Sequence, residues 1–190
     1  MSCLIDKDFI QDCGDINPSG VGDKLMIYNK EDWDSMKANG TVIFDGTDGS
    51  ISSIANETAK RAFEFDVPPG AFKPTSAPVV IEGNYTMFEH SANFPIIVTD
   101  QDAKNTAQAL ANGKVVIVYM KYTGKGEVVG NEQGLNLQAG TYEPGNSDTG
   151  GTLPLEMKSA RKETKMPLTY FNTDEATTLA EFNNLNVAGV

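Results

Sequence analysis

The stretch Lys114-Val115-Val116-Ile117-Val118-Tyr119-Met120-Lys121-Tyr122 decides the fold. β-branched and aromatic residues dominate it, and such residues suit a pleated, packed strand. An antiparallel strand with one wet face alternates apolar and polar residues. Here both faces are apolar, so the strand is expected to be covered on both sides, by a helix, a second sheet or a neighbouring subunit. Thr123-Gly124-Lys125-Gly126 then reads as a tight turn into Glu127-Val128-Val129, which makes a hairpin.

Working upstream, a helix is expected from Thr99 or Asp100 to Asn112-Gly113, with Thr99-x-x-Asp102 approximating a capping box. Ala103, Ala107 and Leu110 form its apolar stripe, with Thr106 beside them. Ala62-Phe63-Glu64-Phe65-Asp66 alternates, placing both phenylalanines on one face of a half-buried strand. Pro68-Pro69-Gly70 and Lys73-Pro74 break the chain, so residues 67–77 read as an exposed loop. Strands are expected at roughly Val79 to Phe88 and Phe94 to Val98. Nearer the N-terminus, Lys24 to Tyr28 and Val42 to Phe44 are strand candidates, with a helical turn at Lys30 to Met36 between them. Asn17-Pro18-Ser19-Gly20, Asn39-Gly40 and Asp45 to Gly49 are turn signals.

Downstream, Leu135 and Leu137 alternate, as do Leu153, Leu155 and Met157, so these pieces are expected to be neighbouring antiparallel strands. Thr173 to Leu185 reads as a short helix with acids in its first turn, where the helix dipole favours them. The expectation is a mostly β fold over residues 1–190: one domain, an antiparallel β-sandwich or barrel with one flanking α-helix and a short C-terminal helix. Residues 1–21, 67–77 and 186–190 hold too little apolar content to order alone, which suggests contact arms.

Charge narrows the partners. Fifteen Lys and Arg face twenty-six Asp and Glu, a formal net charge of −11, the wrong sign for gripping phosphates. Such a surface repels a polyanion passing beside it. No stretch approaches the roughly 18 to 20 apolar residues of a membrane span, and Met1 to Asp8 carries acids where a signal peptide would be apolar. The chain is therefore expected in a cytoplasm, with no membrane partner and with Cys3 and Cys13 as reduced thiols.

Candidate chemistry is sparse. His90 is the single histidine, and no Ser or Cys can be paired with it from sequence. No G-x-S-x-G occurs. Cys3, Cys13 and one histidine do not complete a zinc site without carboxylates. Asp45-Gly46-Thr47-Asp48-Gly49-Ser50 is dense in oxygen ligands but lacks the D-x-D-x-D-G spacing of a calcium loop, so a tight turn is the better reading. Asp148-Thr149-Gly150 lacks the apolar flanks of an aspartic-protease loop. Gly124-Lys125-Gly126 opens a strand instead of a helix, unlike a phosphate loop. The expectation is no catalytic residue, no metal and no cofactor.

One basic cluster stands out: Lys158, Arg161, Lys162 and Lys165, with Glu156 and Glu163 interspersed. Such a run is usually a solvated strand edge protected by its charges. It also suits the positive half of a subunit contact that meets Asp6, Asp8, Asp12 and Asp15 on a neighbour. Val115, Ile117 and Tyr119 are the apolar candidates for the same kind of contact.

The helix ending in Asn112-Gly113, the strand Val115 to Tyr119 and the segment Val128-Val129-Gly130-Asn131-Glu132-Gln133-Gly134-Leu135 together resemble tail tube (major tail) proteins of tailed bacteriophages, in particular those of phages of Bacteroidetes-type hosts. The shared pattern is "V-x-G-x-x-x-G-L" after such a helix, and the resemblance covers about half the chain. It implies a non-enzymatic virion protein, assembled in the host cytoplasm. Stacked hexameric rings would form a β-barrel lumen that conducts genomic DNA without specific binding. Its partners would be copies of itself and other tail proteins. Asn172 to Val190 departs from a minimal tube subunit, leaving room for a tail terminator, a ring or capsid-associated component. A monomeric β-sandwich that binds carbohydrate is the alternative of another class; Trp33 is the one tryptophan it could display.

Overall fold

A computed structural model describes residues 20–81, 85–144 and 152–189. In chain order the elements are β1 (Val21–Asn29), α1 (Lys30–Ala38), β2 (Val42–Phe44), β3 (Ile51–Ile54), β4 (Phe63–Asp66), β5 (Lys73–Ile81), β6 (Tyr85–Ile97) and α2 (Gln101–Asn112). There follow β7 (Val115–Lys121), β8 (Gly126–Val129), β9 (Leu135–Ala139), β10 (Thr152–Ser159), β11 (Leu168–Tyr170) and α3 (Glu175–Asn183).

The protein is mostly β. Among the described residues eleven strands form one sheet in the order β2-β3-β11-β8-β7-β9-β10-β6-β5, with β1 joined to β7 and β4 to β1. Pairing is antiparallel apart from β3 with β11, which meet in parallel at Ile51 and Tyr170. The sheet is not closed into a barrel, which corrects that half of the expectation. Its two halves meet through one residue pair, Val115 opposite Leu135, and a single pair cannot continue a ladder. β2 and β5 stand at the ends of the order, with no strand among the described residues paired on their outer sides.

β7 is the centre, and both its faces are covered by the chain itself. Val115, Ile117 and Tyr119 join Leu25 and Ile27 of β1, Ala92 and Phe94 of β6, Leu155 and Met157 of β10 and Leu110 of α2 in one core layer. Val116, Val118 and Met120 join a second layer with Met26 and Tyr28 of β1, Trp33 and Met36 of α1, and Phe182 of α3. Six consecutive residues, Val115 to Met120, are buried, and each large apolar side chain so buried contributes about 1.5 to 3 kcal/mol. The double cover expected from the sequence is thus present, and none of it comes from a neighbour.

Local signals explain the boundaries. The N-cap of α2 is Asp100, the second of the two expected starts, whose carboxylate accepts from the backbone N–H of Ala103 at 2.8 Å. Asp174 caps α3 likewise, accepting from Thr177 N–H at 2.7 Å. The hairpin from β7 to β8 turns on Gly124, whose φ of 76° is a left-handed value that suits glycine.

Residues 67–77 differ from the expected loop. Val67 and Phe72 are buried in the first core layer, where Phe72 meets Tyr119 edge-on with ring centroids 5.0 Å apart. β5 begins at Lys73, so Pro74 and Pro78 lie inside a strand. They are tolerated because β5 is an edge strand and the two prolines, four residues apart, share one side of it. The expected strand from Val79 to Phe88 is instead the end of β5 and the start of β6, which pair antiparallel from Lys73 opposite Asn93 to Ile81 opposite Tyr85. The C-terminal segment is tied to the body: Asn56 donates to the carbonyls of Leu185 and Val187 at 2.7 and 2.6 Å, and Gly189 bridges to Thr58.

Candidate interaction surface

The residues singled out from sequence fall into three places. Asp6, Asp8, Asp12 and Asp15, like Cys3, Cys13 and Asp148, lie outside the described residues. Val115, Ile117 and Tyr119 are at most 3% exposed, so the surface they were expected to lend to a neighbour is already used inside the chain. The basic cluster is at the surface, and two of its four cations are paired with acids. Lys158 pairs with Glu156 at 2.8 Å, and Lys162 pairs with Glu89. The Lys162 ammonium holds the Glu89 carboxyl below its ordinary range. Arg161 and Lys165 are exposed.

Glu163, in the middle of that cluster, is buried to 1% exposure. Its two oxygens accept from the backbone N–H groups of Glu132 and Gln133, at 2.9 and 3.0 Å. Glu132 reciprocates, its carboxylate accepting from Thr164 N–H at 2.8 Å and from the Thr164 hydroxyl. Burial raises the Glu163 pKa, opposed by the two backbone hydrogen bonds. His90 completes the knot: its Nε2–H donates to the Lys165 carbonyl at 3.0 Å, while Nδ1 accepts from Gly130 N–H at 3.3 Å. Both bonds together require the neutral ring with its proton on Nε2. Burial lowers the His90 pKa, offset in part by Lys165, Glu132 and Glu127.

The segment between Gly130 and Gly134 is therefore a turn clamped from four sides. Both glycines have left-handed φ, 77° and 72°, and a Cβ on Gly130 would lie 2.9 Å from Leu135 Cγ. Asn131 accepts from Trp33 Nε1 at 2.9 Å through its side chain and from Lys37 Nζ at 2.9 Å through its carbonyl. These groups close a loop. A similar use of acid occurs at Glu181 on α3, which accepts from Ser53, from Ile54 N–H and from Asn172. Burial, then the Glu181 charge, pushes the Tyr28 and Tyr170 phenols up.

The remaining sequence candidates are turns. Asp45 accepts from Thr47 N–H at 2.6 Å and Asp48 from Ser50 N–H at 2.8 Å, as expected of a tight turn. Among the described residues no three His, Cys, Asp or Glu side chains gather as a metal site, and none of their helices is long and apolar enough to cross a membrane.

The surface feature that sequence reasoning missed is the outer half of the β5–β6 hairpin. β10 stops pairing with β6 at Ser91, and beyond the bridge from Phe88 to Glu163 the two strands continue to Ile81 and Tyr85 with no third strand among the described residues. Val79, Met87, Ile81 and Tyr85 share one face of this ribbon, by the alternation of the pairing. Val80 is 75% and Tyr85 74% exposed. Its signal in the sequence is Pro78-Val79-Val80-Ile81 and Tyr85-Thr86-Met87-Phe88, charge-free runs on either side of Glu82-Gly83-Asn84.

A second apolar surface lies beside α2. Ile27, Phe63, Phe65, Thr106, Ala109, Leu110 and Val115 line an open groove of about 300 Å³, where the core layer between β1, β4 and α2 reaches solvent. Phe63 is 43% exposed there, with the Arg61 guanidinium 5.4 Å above its ring. Compared with protein-family models, with curated proteins and with solved structures, the chain matches none.

Proposed function

We propose that this chain is a structural subunit of a homo-oligomeric assembly, and within that class a tail tube subunit of a tailed bacteriophage, acting in the virion as part of a conduit for DNA. One observation carries the assembly reading: the unsupported outer half of the β5–β6 hairpin. An isolated two-stranded ribbon is marginal in water and needs a third strand or a packed face to persist. This ribbon is apolar on one face and exposes Val80 on the other, so a partner surface is the missing support. The narrower tube reading rests on the resemblance of residues 115–135 and on a net charge of −11, which disfavours adhesion of DNA. The two halves of the sheet, facing each other across a shared core, are read as the β-sandwich of such a subunit. A lumen would then be built between copies, since the sheet is open within one chain.

Trp33 is fully buried and gives the carbohydrate-binding alternative no exposed tryptophan. Light scattering after size exclusion tests the assembly reading: rings, tubes or concentration-dependent polymers are expected, and a monomer of 20.5 kDa at every concentration would overturn it. Val80→Asp combined with Tyr85→Asp is expected to weaken association by about tenfold or more, since a charge would have to be desolvated in the contact. An unchanged circular dichroism spectrum would show that the body is intact.

A further inference from the structure

We infer that the outer β5–β6 hairpin of one copy docks into the groove between β4 and α2 of the next, a head-to-tail contact that rests on the assembly reading above. The argument starts from charge. Copies that each carry −11 repel unless they meet where charge is absent. Pro74 to Ile81 and Tyr85 to Phe88 contain no ionisable acid or base apart from the Tyr85 phenol, and no residue lining the groove is charged. In a chain that is 22% charged, these are two apolar surfaces, one protruding and one recessed, the recessed one carrying the Arg61 guanidinium over the Phe63 ring.

Shape and chemistry agree with that pairing. The ribbon offers a face of Val79, Ile81, Tyr85 and Met87, and a groove of about 300 Å³ takes a few such side chains. The groove walls are Phe63, Phe65 and Ile27 on one side and Ala109 and Leu110 on the other, so an inserted aromatic ring meets other rings and aliphatic groups at its faces. Hairpin and groove are different surfaces, and a contact between unlike surfaces propagates: it closes into a ring when the rotation allows and otherwise continues as a filament.

Thiol cross-linking separates this inference from the reading beneath it. Two variants are made with Cys3→Ser and Cys13→Ser, one carrying Ile81→Cys and the other Ala109→Cys. They are mixed at a concentration where light scattering reports oligomers and treated with a short bismaleimide. A cross-linked species of twice the subunit mass is expected in the mixture at about tenfold or more over either variant alone, because docking raises the local concentration of the paired thiols. Ala109→Glu is expected to lower association by about tenfold or more while the spectrum of the fold is retained. Oligomers without the mixed cross-link, or unweakened by Ala109→Glu, would overturn the groove assignment and leave the assembly reading standing. A chain that stays monomeric would overturn both.

Discussion

β7 and the outer β5–β6 hairpin are built from the same kinds of residue, Val, Ile, Tyr and Met, yet β7 is buried from Val115 to Met120 while Val80 and Tyr85 are about three-quarters exposed. Composition does not separate them. What does is the number of elements that reach each one. β7 has β1 on one side and β8 on the other, with α1 and α3 over one face and β6, β10 and α2 over the opposite one. The hairpin runs past the end of β10 and is left as two strands. A β-rich apolar run is therefore a core in one place and a candidate contact in the other.

Truncation should split the two most widely. Ile117→Ala removes a side chain that is 0% exposed and is expected to cost about 2 to 5 kcal/mol, read from urea denaturation of dilute protein. Val80→Ala under the same conditions should change stability by about 0.5 kcal/mol or less. Comparable losses for both would mean that the hairpin is packed against the body, and the contrast would collapse.

The turn between Gly130 and Gly134 sharpens the comparison from the other side, because it is half-buried backbone tied down by polar groups. Glu163→Ala strips acceptors from two backbone N–H groups. The expected cost is about 1.5 to 3 kcal/mol, with faster hydrogen exchange at Glu132 and Gln133. Exchange unchanged at both amides would show that the clamp does not order the turn.

Much of the body was legible in the sequence because short-range signals set it. β-branched density gives β7, Asn112-Gly113 ends α2, and the glycines at 124 and 126 form the hairpin turn. The spacing Gly130-x-x-x-Gly134 has a physical reason: both positions adopt left-handed φ. Long-range partners were not legible. Pro74 and Pro78 mark a loop until the strand is known to lie at a sheet edge, and Glu163 looks like one more surface acid until Glu132 and Gln133 fold over it. The reach of β6 beyond β10 depends on where a different strand stops, which no local pattern records.

The smallest expected effect concerns His90, and the chain makes it clean to measure because it holds one histidine. Burial lowers the pKa of that ring in the fold, so below its ordinary value of about 6.5 the unfolded chain takes up a proton that the folded chain resists. Stability should fall as pH drops through that point, by at most about 1.4 kcal/mol per pH unit for one proton. Glu163 works in the opposite sense: its pKa is raised in the fold, so protonation there favours the folded state as pH approaches the ordinary carboxylate range. Asp34, Glu57, Glu89 and Asp174 are lowered, and their contributions are lost only as pH falls below about 4. The window from about pH 6.5 to 5 thus isolates His90 from the lowered acids. His90→Gln keeps a side-chain donor and acceptor without the titration, and it should flatten the slope in that window. A slope that survives the substitution would place the proton elsewhere and remove the imidazole from the clamp.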